Sequence, residues 1–320
     1  MLRITLALLL YGFASIVVSD PYFYINQQQG EGVSVFKRTD LTLKTTIPTL
    51  KGPAGIAISP HNPWLAVTYP EQGMVSFIDS EKLIPLEHLS VGGSPFGAVF
   101  ANNHLFISDW SSNTVKVIHP GTGKVIKKIA VGKSPAGIAT NACESQVWVL
   151  NREGNTVSVL DSRSYNIIKT IAVGSAPFAL AMDERFAYIA NSQGNTLSIV
   201  DLADLIEIKR IQVGRMPYDV AVDRKQHKVF VSNQLENTVS VLDSRTHQLI
   251  NNLKTGAYPE NIAVDEENQR LLVLNWFDGS LTVFDSQTDE EIKRIEVADG
   301  SRAFGQFVAK PVVCLADDNQ

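Results

Sequence analysis

Residues 131–174 read VGKSPAGIATNACESQVWVLNREGNTVSVLDSRSYNIIKTIAVG, and the order of elements in this stretch recurs with variation along the chain. Each copy is anchored by a proline that follows a Val-Gly or similar pair. The anchoring prolines are Pro53, Pro95, Pro135, Pro177, Pro217 and Pro259. They are separated by steps of 42, 40, 42, 40 and 42 residues. A fixed period of this length indicates a repeat architecture.

Each repeat contains four short runs with β character. In the quoted stretch these are AGIAT, QVWVLN, TVSVLD and NIIKTIAV, which are rich in Val and Ile and are separated by Gly, Asn and Asp. This composition is typical of strands joined by tight turns, and no run has the apolar spacing of a helix. Four antiparallel strands at a period of about 40 residues predict the blade of an all-β propeller.

The chain ends predict the number of blades. Six complete repeats run from Pro53 to about Val297, and the stretch AFGQFVAK, which begins at Ala303, resembles a first strand without successors. Residues 22–47 contain YFYIN, GVSVFK and LTLKTTI, which match the second, third and fourth runs of a repeat. We therefore expect seven blades, one of them assembled from both ends of the chain. Such closure removes exposed sheet edges.

The repeats resemble those of a known family. Residues 148–151 (WVLN), 188–191 (YIAN), 230–233 (FVSN) and 272–275 (LVLN) are each followed by a turn into NTV, NTL, NTV or GSL. In these motifs the chain is similar to the YVTN-repeat (YncE-like) seven-bladed propellers and, more loosely, to the propeller subunit of quinohemoprotein amine dehydrogenase. The resemblance implies the fold and says little about function, since propellers host many activities. It also implies single-stranded DNA binding as an alternative.

Composition and the N-terminus predict an exported single domain. The chain has 320 residues, a net charge of −5, 44% hydrophobic residues and 19% charged residues, and this acidity disfavours nucleic acid, which requires a basic surface. Arg3 precedes about fifteen nearly uninterrupted apolar residues, a pattern that predicts a signal peptide over residues 1–19. The alternative is an uncleaved anchor. We expect residues 20–320 to form one periplasmic or secreted propeller, with a tail from about residue 310.

Two cysteines follow the predicted signal peptide. The blade arrangement places Cys143 after a first strand and Cys314 beyond the closing strand, both on the face opposite the Val-Gly-Pro loops. An oxidising compartment permits a disulfide. We expect either a Cys143–Cys314 disulfide or two free thiols.

The repeats differ from one another at the channel mouth, and this is where we expect a site. Two residues beyond the anchoring proline the chain has small residues in most repeats but Asp219 and Asn261 in two of them. The predicted ligand- or partner-binding residues of this sector are Tyr218, Asp219, Glu260, Asn261, Trp276, Arg302 and Phe304. The alternative is that Asp219, Glu260 and Arg302 only satisfy one another. A wider set of aromatic residues, Tyr69, Phe96, Trp110 and Phe178, would enlarge the face into a protein-binding surface.

Catalytic motifs are not found in the sequence. It contains no CxxCH haem-attachment motif, no cysteine pair with zinc spacing, no GxSxG motif and no phosphate-binding glycine loop. We therefore predict no catalytic residues, no metal and no cofactor. The leading interpretation is an exported, non-catalytic binding propeller that presents its Val-Gly-Pro loops to a protein partner or a small polar ligand. The alternatives are a ligand- or metal-dependent enzyme that uses Asp219, Glu260 and Asn261, and a single-stranded nucleic-acid binder.

Overall fold

The computed structural model describes residues 20–309 of the chain, so the predicted signal peptide and the predicted tail with Cys314 lie outside the described residues. The described part forms seven β-sheets, and one 3₁₀ turn lies at Arg152–Gly154. The predicted all-β, seven-bladed propeller is confirmed.

The strands are numbered along the chain, and each blade runs from an innermost strand at the channel to a fourth strand at the outside. The innermost strands are β4 (Gly55–Ile58), β8 (Pro95–Ala101), β12 (Pro135–Thr140), β16 (Pro177–Met182), β20 (Pro217–Asp223) and β24 (Pro259–Asp265). The second strands are β1 (Tyr22–Gln27), β5 (Trp64–Tyr69), β9 (His104–Asp109), β13 (Gln146–Asn151), β17 (Phe186–Asn191), β21 (Lys228–Asn233) and β25 (Arg270–Asn275). The third strands are β2 (Gly32–Lys37), β6 (Met74–Asp79), β10 (Thr114–His119), β14 (Thr156–Asp161), β18 (Thr196–Asp201), β22 (Thr238–Asp243) and β26 (Ser280–Asp285). The fourth strands are β3 (Leu43–Pro48), β7 (Ile84–Ser90), β11 (Lys124–Ala130), β15 (Ile167–Ala172), β19 (Ile206–Gln212), β23 (Gln248–Lys254) and β27 (Glu291–Glu296). The C-terminal segment adds β28 (Ser301–Arg302) and β29 (Phe304–Gly305).

The C-terminal segment closes the ring, as predicted, but it does so in separate pieces. Strand β28 pairs antiparallel with the end of β1, and Val308 forms a further bridge with Phe23. Between these points β29 leaves the blade and pairs in parallel with β4 of the next blade. Gly305, with φ +116°, occupies backbone space that favours glycine. The closing strand is therefore shared between two neighbouring blades.

Small residues near the axis allow the innermost strands to approach one another. A Cβ atom at Gly97 would lie 2.6 Å from the carbonyl oxygen of Ala136, and one at Gly137 would lie 2.3 Å from that of Phe178. Both carbonyls belong to the next blade. Small residues at this position therefore permit close packing around the channel.

Recurring Asn and Asp residues stabilise the turns of the repeats. Asn155 has φ 53°, and its side-chain oxygen accepts a hydrogen bond of 2.9 Å from the backbone N–H of Ala176 in the next blade. Asp161 accepts hydrogen bonds from the backbone N–H groups of Arg163 and Ser164. These bonds lower the pKa of Asp161, and the bond from Ser164 has the largest effect. The repeats therefore carry residues that join each blade to its neighbour.

The hydrophobic core lies between adjacent blades. Second and third strands are buried along almost their whole length because both faces of each sheet pack against a neighbouring sheet, whereas fourth strands such as β15 are mostly exposed. Trp148 of one blade, for example, shares a buried cluster with Ile189 of the next. Cys143, in the turn between β12 and β13, is disulfide-bonded.

Within residues 20–309, no helix has the length and apolar character that a membrane crossing requires.

Candidate functional site

A depression of about 640 Å³ opens on the face formed by the Val-Gly-Pro loops and the turns between second and third strands. We call it the bowl. Three repeat positions supply its walls: the residue before the anchoring proline, the residue after it, and the residue that follows each second strand. The lining residues are Pro70, Ser94, Phe96, Trp110, Arg152, Phe178, Met216, Tyr218, Gln234, Tyr258, Glu260, Trp276 and Arg302.

The floor of the bowl is a cluster of aromatic rings. The ring centroid of Phe178 lies 4.6 Å from that of Tyr218 and 5.0 Å from that of Phe304. The ring centroids of Phe96 and Phe304 are 4.7 Å apart. Trp110 adds an edge contact of 5.6 Å with Phe96. Burial raises the pKa of Tyr218 well above its usual range, so its hydroxyl stays protonated. The rings come from several blades and meet over the channel axis.

The floor separates the bowl from the channel beneath it. Phe304 contacts the rings of the floor and also lines an inner cavity of about 180 Å³. That cavity is bounded by the innermost strands, including residues such as Ala139 and Leu180, and by the closing segment around Phe307.

One wall of the bowl holds a buried ion pair. Arg302 Nε donates to Glu260 Oε2 at 2.8 Å, and Arg302 Nη2 donates to Glu260 Oε1 at 2.9 Å. Gln234 Nε2 donates to the same Oε1 at 2.8 Å. The side chain of Glu260 is 2% exposed and that of Arg302 is 16% exposed. The Glu260 carboxylate is therefore held by two partners.

Asp219 does not join this ion pair. Its side chain accepts hydrogen bonds from the backbone N–H groups of Val220 and Ile262 and from Asn261 Nδ2 at 3.3 Å. Asn261 Oδ1 in turn accepts from the backbone N–H of Ala303. Asp219 lines the inner cavity below the floor. Asp219 and Asn261 therefore fill the position that glycine occupies in other blades. Asn261 also connects the closing segment to β24 through its hydrogen bond with Ala303.

The rim carries a second aromatic group. Tyr258, Trp276 and Phe277 contact one another with ring-centroid distances of 4.5 to 6.0 Å. Phe277 is 66% exposed, and Leu235 in the turn of the preceding blade is 47% exposed. Exposed aromatic residues beside a concave surface are typical of protein-binding sites.

On another wall, Arg152 lies against Trp110. The guanidinium carbon of Arg152 is 5.6 Å from the centroid of the Trp110 ring, which is within cation–π range. The backbone N–H of Arg152 bonds to the carbonyl oxygen of Ser134, so the 3₁₀ turn that carries the residue is fixed to the loop before β12.

The predicted site residues divide into two groups. Tyr218, Glu260, Trp276 and Arg302 meet in the bowl, and Phe304 lies beneath them. Asp219 and Asn261, expected in the same sector, lie below the floor. The alternative that the polar groups satisfy one another holds for Glu260 with Arg302 but not for Asp219, which bonds to backbone and to Asn261.

The wider aromatic set is corrected at one position. Phe96, Trp110 and Phe178 line the bowl as predicted, but Tyr69 is fully buried and lies in the core between blades. It stands at the end of β5, where four other blades have a buried Asn, so its ring packs inward. Tyr69 does not contribute to the face.

Sequence reasoning missed Arg152, Met216, Gln234 and Tyr258. Arg152 and Gln234 follow second strands, and Met216 and Tyr258 precede anchoring prolines. Variation among the repeats at these positions is the signal that would have found them. The residues that follow the second strands are Gln28, Pro70, Trp110, Arg152, Ser192, Gln234 and Trp276. Their variation stands out against the uniform Asn, Asp and Thr of the neighbouring turn.

The described residues contain no group of three or more His, Cys, Asp or Glu side chains arranged to hold a metal ion.

Comparison with known proteins supports the fold. The sequence model of the Cytochrome D1 heme domain family matches residues 145–270, which is less than half of the chain. No curated protein sequence matches the chain. Among solved structures, Kuenenia stuttgartiensis hydrazine synthase is similar with a TM-score of 0.73 and 15% identity, over 87% of this chain and 100% of that one.

Two further structures are similar. Dihydro-heme d1 dehydrogenase NirN, solved in complex with DHE, has a TM-score of 0.69 and 12% identity, over 88% of this chain and 74% of that one. A protein of unknown function from Desulfotomaculum acetoxidans has a TM-score of 0.75 and 16% identity, over 88% of this chain and 98% of that one. Identities this low show the fold alone. The resemblance to the YVTN-repeat family stays a prediction.

The chain is therefore a seven-bladed β-propeller with a sequence likeness to the Cytochrome D1 heme domain over residues 145–270.

Proposed function

We propose that this protein is an exported, non-catalytic binding propeller that holds a segment of a protein partner in the bowl. The observation that carries the proposal is the aromatic floor with its exposed aromatic rim. The floor rings of Phe96, Phe178 and Tyr218 offer a preformed apolar surface, and the rim adds Trp276 and Phe277. The volume of the bowl, about 640 Å³, lies within the range of sites that enclose a ligand or an anchoring side chain.

The polar groups of the bowl support binding over catalysis. The buried carboxylate of Glu260 is engaged by Arg302 and Gln234, and Asp219 lies below the floor. A general acid or base needs a titratable group within reach of a substrate. Glu260 and Arg302 instead hold one wall of the bowl in place.

Affinity capture from the cell envelope tests the proposal. The tagged wild-type protein is compared with a Trp276→Ser, Phe277→Ser variant and with a control variant, Ile250→Ser, whose residue is 52% exposed on the outer strand β23. We expect the wild type and the control to retain one stoichiometric partner and the rim variant to lose most of it. Tyr218 is left unchanged because it is buried in the floor and its removal would lower stability. Equal capture by all three proteins would contradict the proposal.

A tetrapyrrole is the second candidate ligand, because the stretch that matches the Cytochrome D1 heme domain supplies Arg152, Phe178, Met216 and Gln234 to the bowl. Haem iron in proteins is held by His, Cys, Met or Tyr. The lining residues include no His or Cys, so an iron ligand would have to be Met216 or a tyrosine. This donor set does not fit a histidine-ligated haem. A titration with haem decides between the candidates, since a saturable Soret shift that is lost in Met216→Ala would favour the tetrapyrrole.

A further inference from the structure

We propose that the bowl selects a partner segment in which a carboxylate accompanies an apolar side chain, and that Arg152 binds the carboxylate. The inference rests on the proposed function and specifies the chemistry of the segment that is bound.

The charges that line the bowl do not cancel. Three of the residues that line the bowl have charged side chains, namely Arg152, Glu260 and Arg302. Arg302 and Glu260 neutralise each other through two hydrogen bonds. Among the described residues, no carboxylate lies within ion-pair distance of Arg152, so the bowl carries one uncompensated positive charge in a chain whose net charge is −5.

The guanidinium of Arg152 contacts the Trp110 ring of the bowl. Its central carbon lies 5.6 Å from the ring centroid, within cation–π range. A guanidinium presents five N–H donors in a planar fork that matches a carboxylate. Within the described residues, no side-chain hydrogen bond of Arg152 uses this fork. A carboxylate is therefore the group that would complete it.

A neighbouring arginine shows the contrast. Arg215 also lies at this face, but its Nε is 3.6 Å from Glu236 Oε1 and its side chain is 65% exposed. Its charge is compensated within the protein, and Arg215 does not line the bowl. Arg152 is thus distinguished from Arg215 both by its place and by its free charge.

The apolar part of the ligand follows from the floor. Phe96 lies beside Trp110, the ring that contacts Arg152, and Phe178 and Tyr218 continue the row of ring contacts from Phe96. A ligand whose aromatic or aliphatic group rests on these rings places an attached carboxylate at the wall where Arg152 stands. A peptide that ends in, or carries, an apolar residue next to an acidic group has this chemistry.

Matched probes test the inference. N-acetylphenylalanine carries an aromatic ring and a carboxylate, and N-acetylphenylalaninamide is its neutral counterpart. Trp110 and Trp276 both line the bowl, so tryptophan fluorescence reports binding. We expect the wild-type protein to bind the carboxylate probe about tenfold more tightly, the size of a hydrogen bond to a charged group.

The variants separate the role of Arg152 from a general effect of charge. In Arg152→Gln the preference should disappear while binding of the amide probe is unchanged, and Arg215→Gln should keep the preference. Equal affinity of the two probes for the wild type, a preference that survives in Arg152→Gln, or no saturable binding of either probe would overturn the inference. The proposed function would still stand if Arg152→Gln captured the envelope partner as well as the wild type and the rim variant did not.

Discussion

Arg302 and Glu260 form a two-point ion pair, with Nε to Oε2 at 2.8 Å and Nη2 to Oε1 at 2.9 Å, which fastens the closing segment to the innermost strand of the neighbouring blade. Burial would lower the pKa of Arg302, but the negative charge of Glu260 and the hydrogen bonds to its carboxylate outweigh burial and raise that pKa above its usual range. The guanidinium is therefore charged at any pH at which the protein is folded. The same ion pair therefore forms part of a wall of the bowl and stabilises the closure of the propeller.

Replacing Arg302 by Gln should lower the free energy of unfolding by about 3 kcal/mol, because the carboxylate of Glu260 is left buried without its cation. The double variant Glu260→Gln, Arg302→Gln should lose less, because neither charge remains. Urea denaturation measures both. A double variant that is less stable than Arg302→Gln would contradict this account of the pair.

Asp109 and Lys116 form a second buried pair, at 2.6 Å, in the blade of β8 to β11. Three other blades have Asn and Ser at these two positions, as in Asn151 and Ser158, whose side chains share a hydrogen bond of 2.9 Å. Lys116→Met should cost roughly 3 to 5 kcal/mol because Asp109 stays buried without a cation. Asp109→Asn, Lys116→Ser restores the pattern of these three blades and should be more stable than Lys116→Met in urea denaturation.

The Asp109 pair also predicts a pH dependence. Burial would raise the pKa of Asp109, but the hydrogen bond from Lys116 and those from neighbouring Ser residues lower it below the ordinary value. The unfolded chain therefore binds a proton at higher pH than the folded protein does. The stabilisation is complete above about pH 4 and is lost as the pH falls towards the folded-state value. The free energy of unfolding of the wild type should therefore fall relative to that of Asp109→Asn, Lys116→Ser on acidification, as measured by denaturation curves at several pH values, and a constant difference would contradict this expectation.

Gly137→Ala should destabilise the protein by about 1 to 3 kcal/mol, because the added Cβ would lie 2.3 Å from the carbonyl oxygen of Phe178 and the innermost strands would have to separate. Gly121→Ala is the matched control. Its added Cβ would meet only the exposed His119 ring at 3.4 Å. Thermal unfolding should show a lower Tm for the first variant and an unchanged Tm for the second.

Asn155 should respond in a graded order to substitution. Asn155→Gly keeps the left-handed backbone but loses the hydrogen bond from Ala176, at a cost of about 1 kcal/mol. Asn155→Ala loses that bond and also places a Cβ in the left-handed region, which costs roughly 1 kcal/mol more. Asn155→Asp retains an acceptor and should lose least. Chemical denaturation of the three variants checks the order, and a variant with Ala that is as stable as that with Gly would refute the backbone part of the argument.

The repeat pattern predicted most of the fold because each residue of the pattern has a local task. Asn155 and its counterparts need a left-handed turn, Gly137 and its counterparts need space beside a carbonyl, and the apolar runs need two covered faces. Such requirements are the same in every blade. Their period therefore predicts the number of blades and the closure by both ends of the chain.

The site was predicted less completely because it depends on how blades meet. Residue type did not show that Tyr69, the last residue of its second strand, turns into the core while Trp110, which follows the second strand of the next blade, stays on the face. It also did not show that the floor rings would place Glu260 above the floor and Asp219 below it. Both depend on the packing of side chains from blades that are distant in sequence, and this packing has no period.

The shared closing strand has a consequence for the order of folding. Asn26 pairs with Arg302 across nearly the whole described chain, so the last pairing of the ring has a very high contact order and a large loop-closure entropy. Until residues near 302 are available, the edge of β1 and the inner side of β4 remain uncovered. Ring closure can then only follow synthesis of the residues near 302, and any fragment that ends before them would expose two unpaired edges to aggregation or proteolysis.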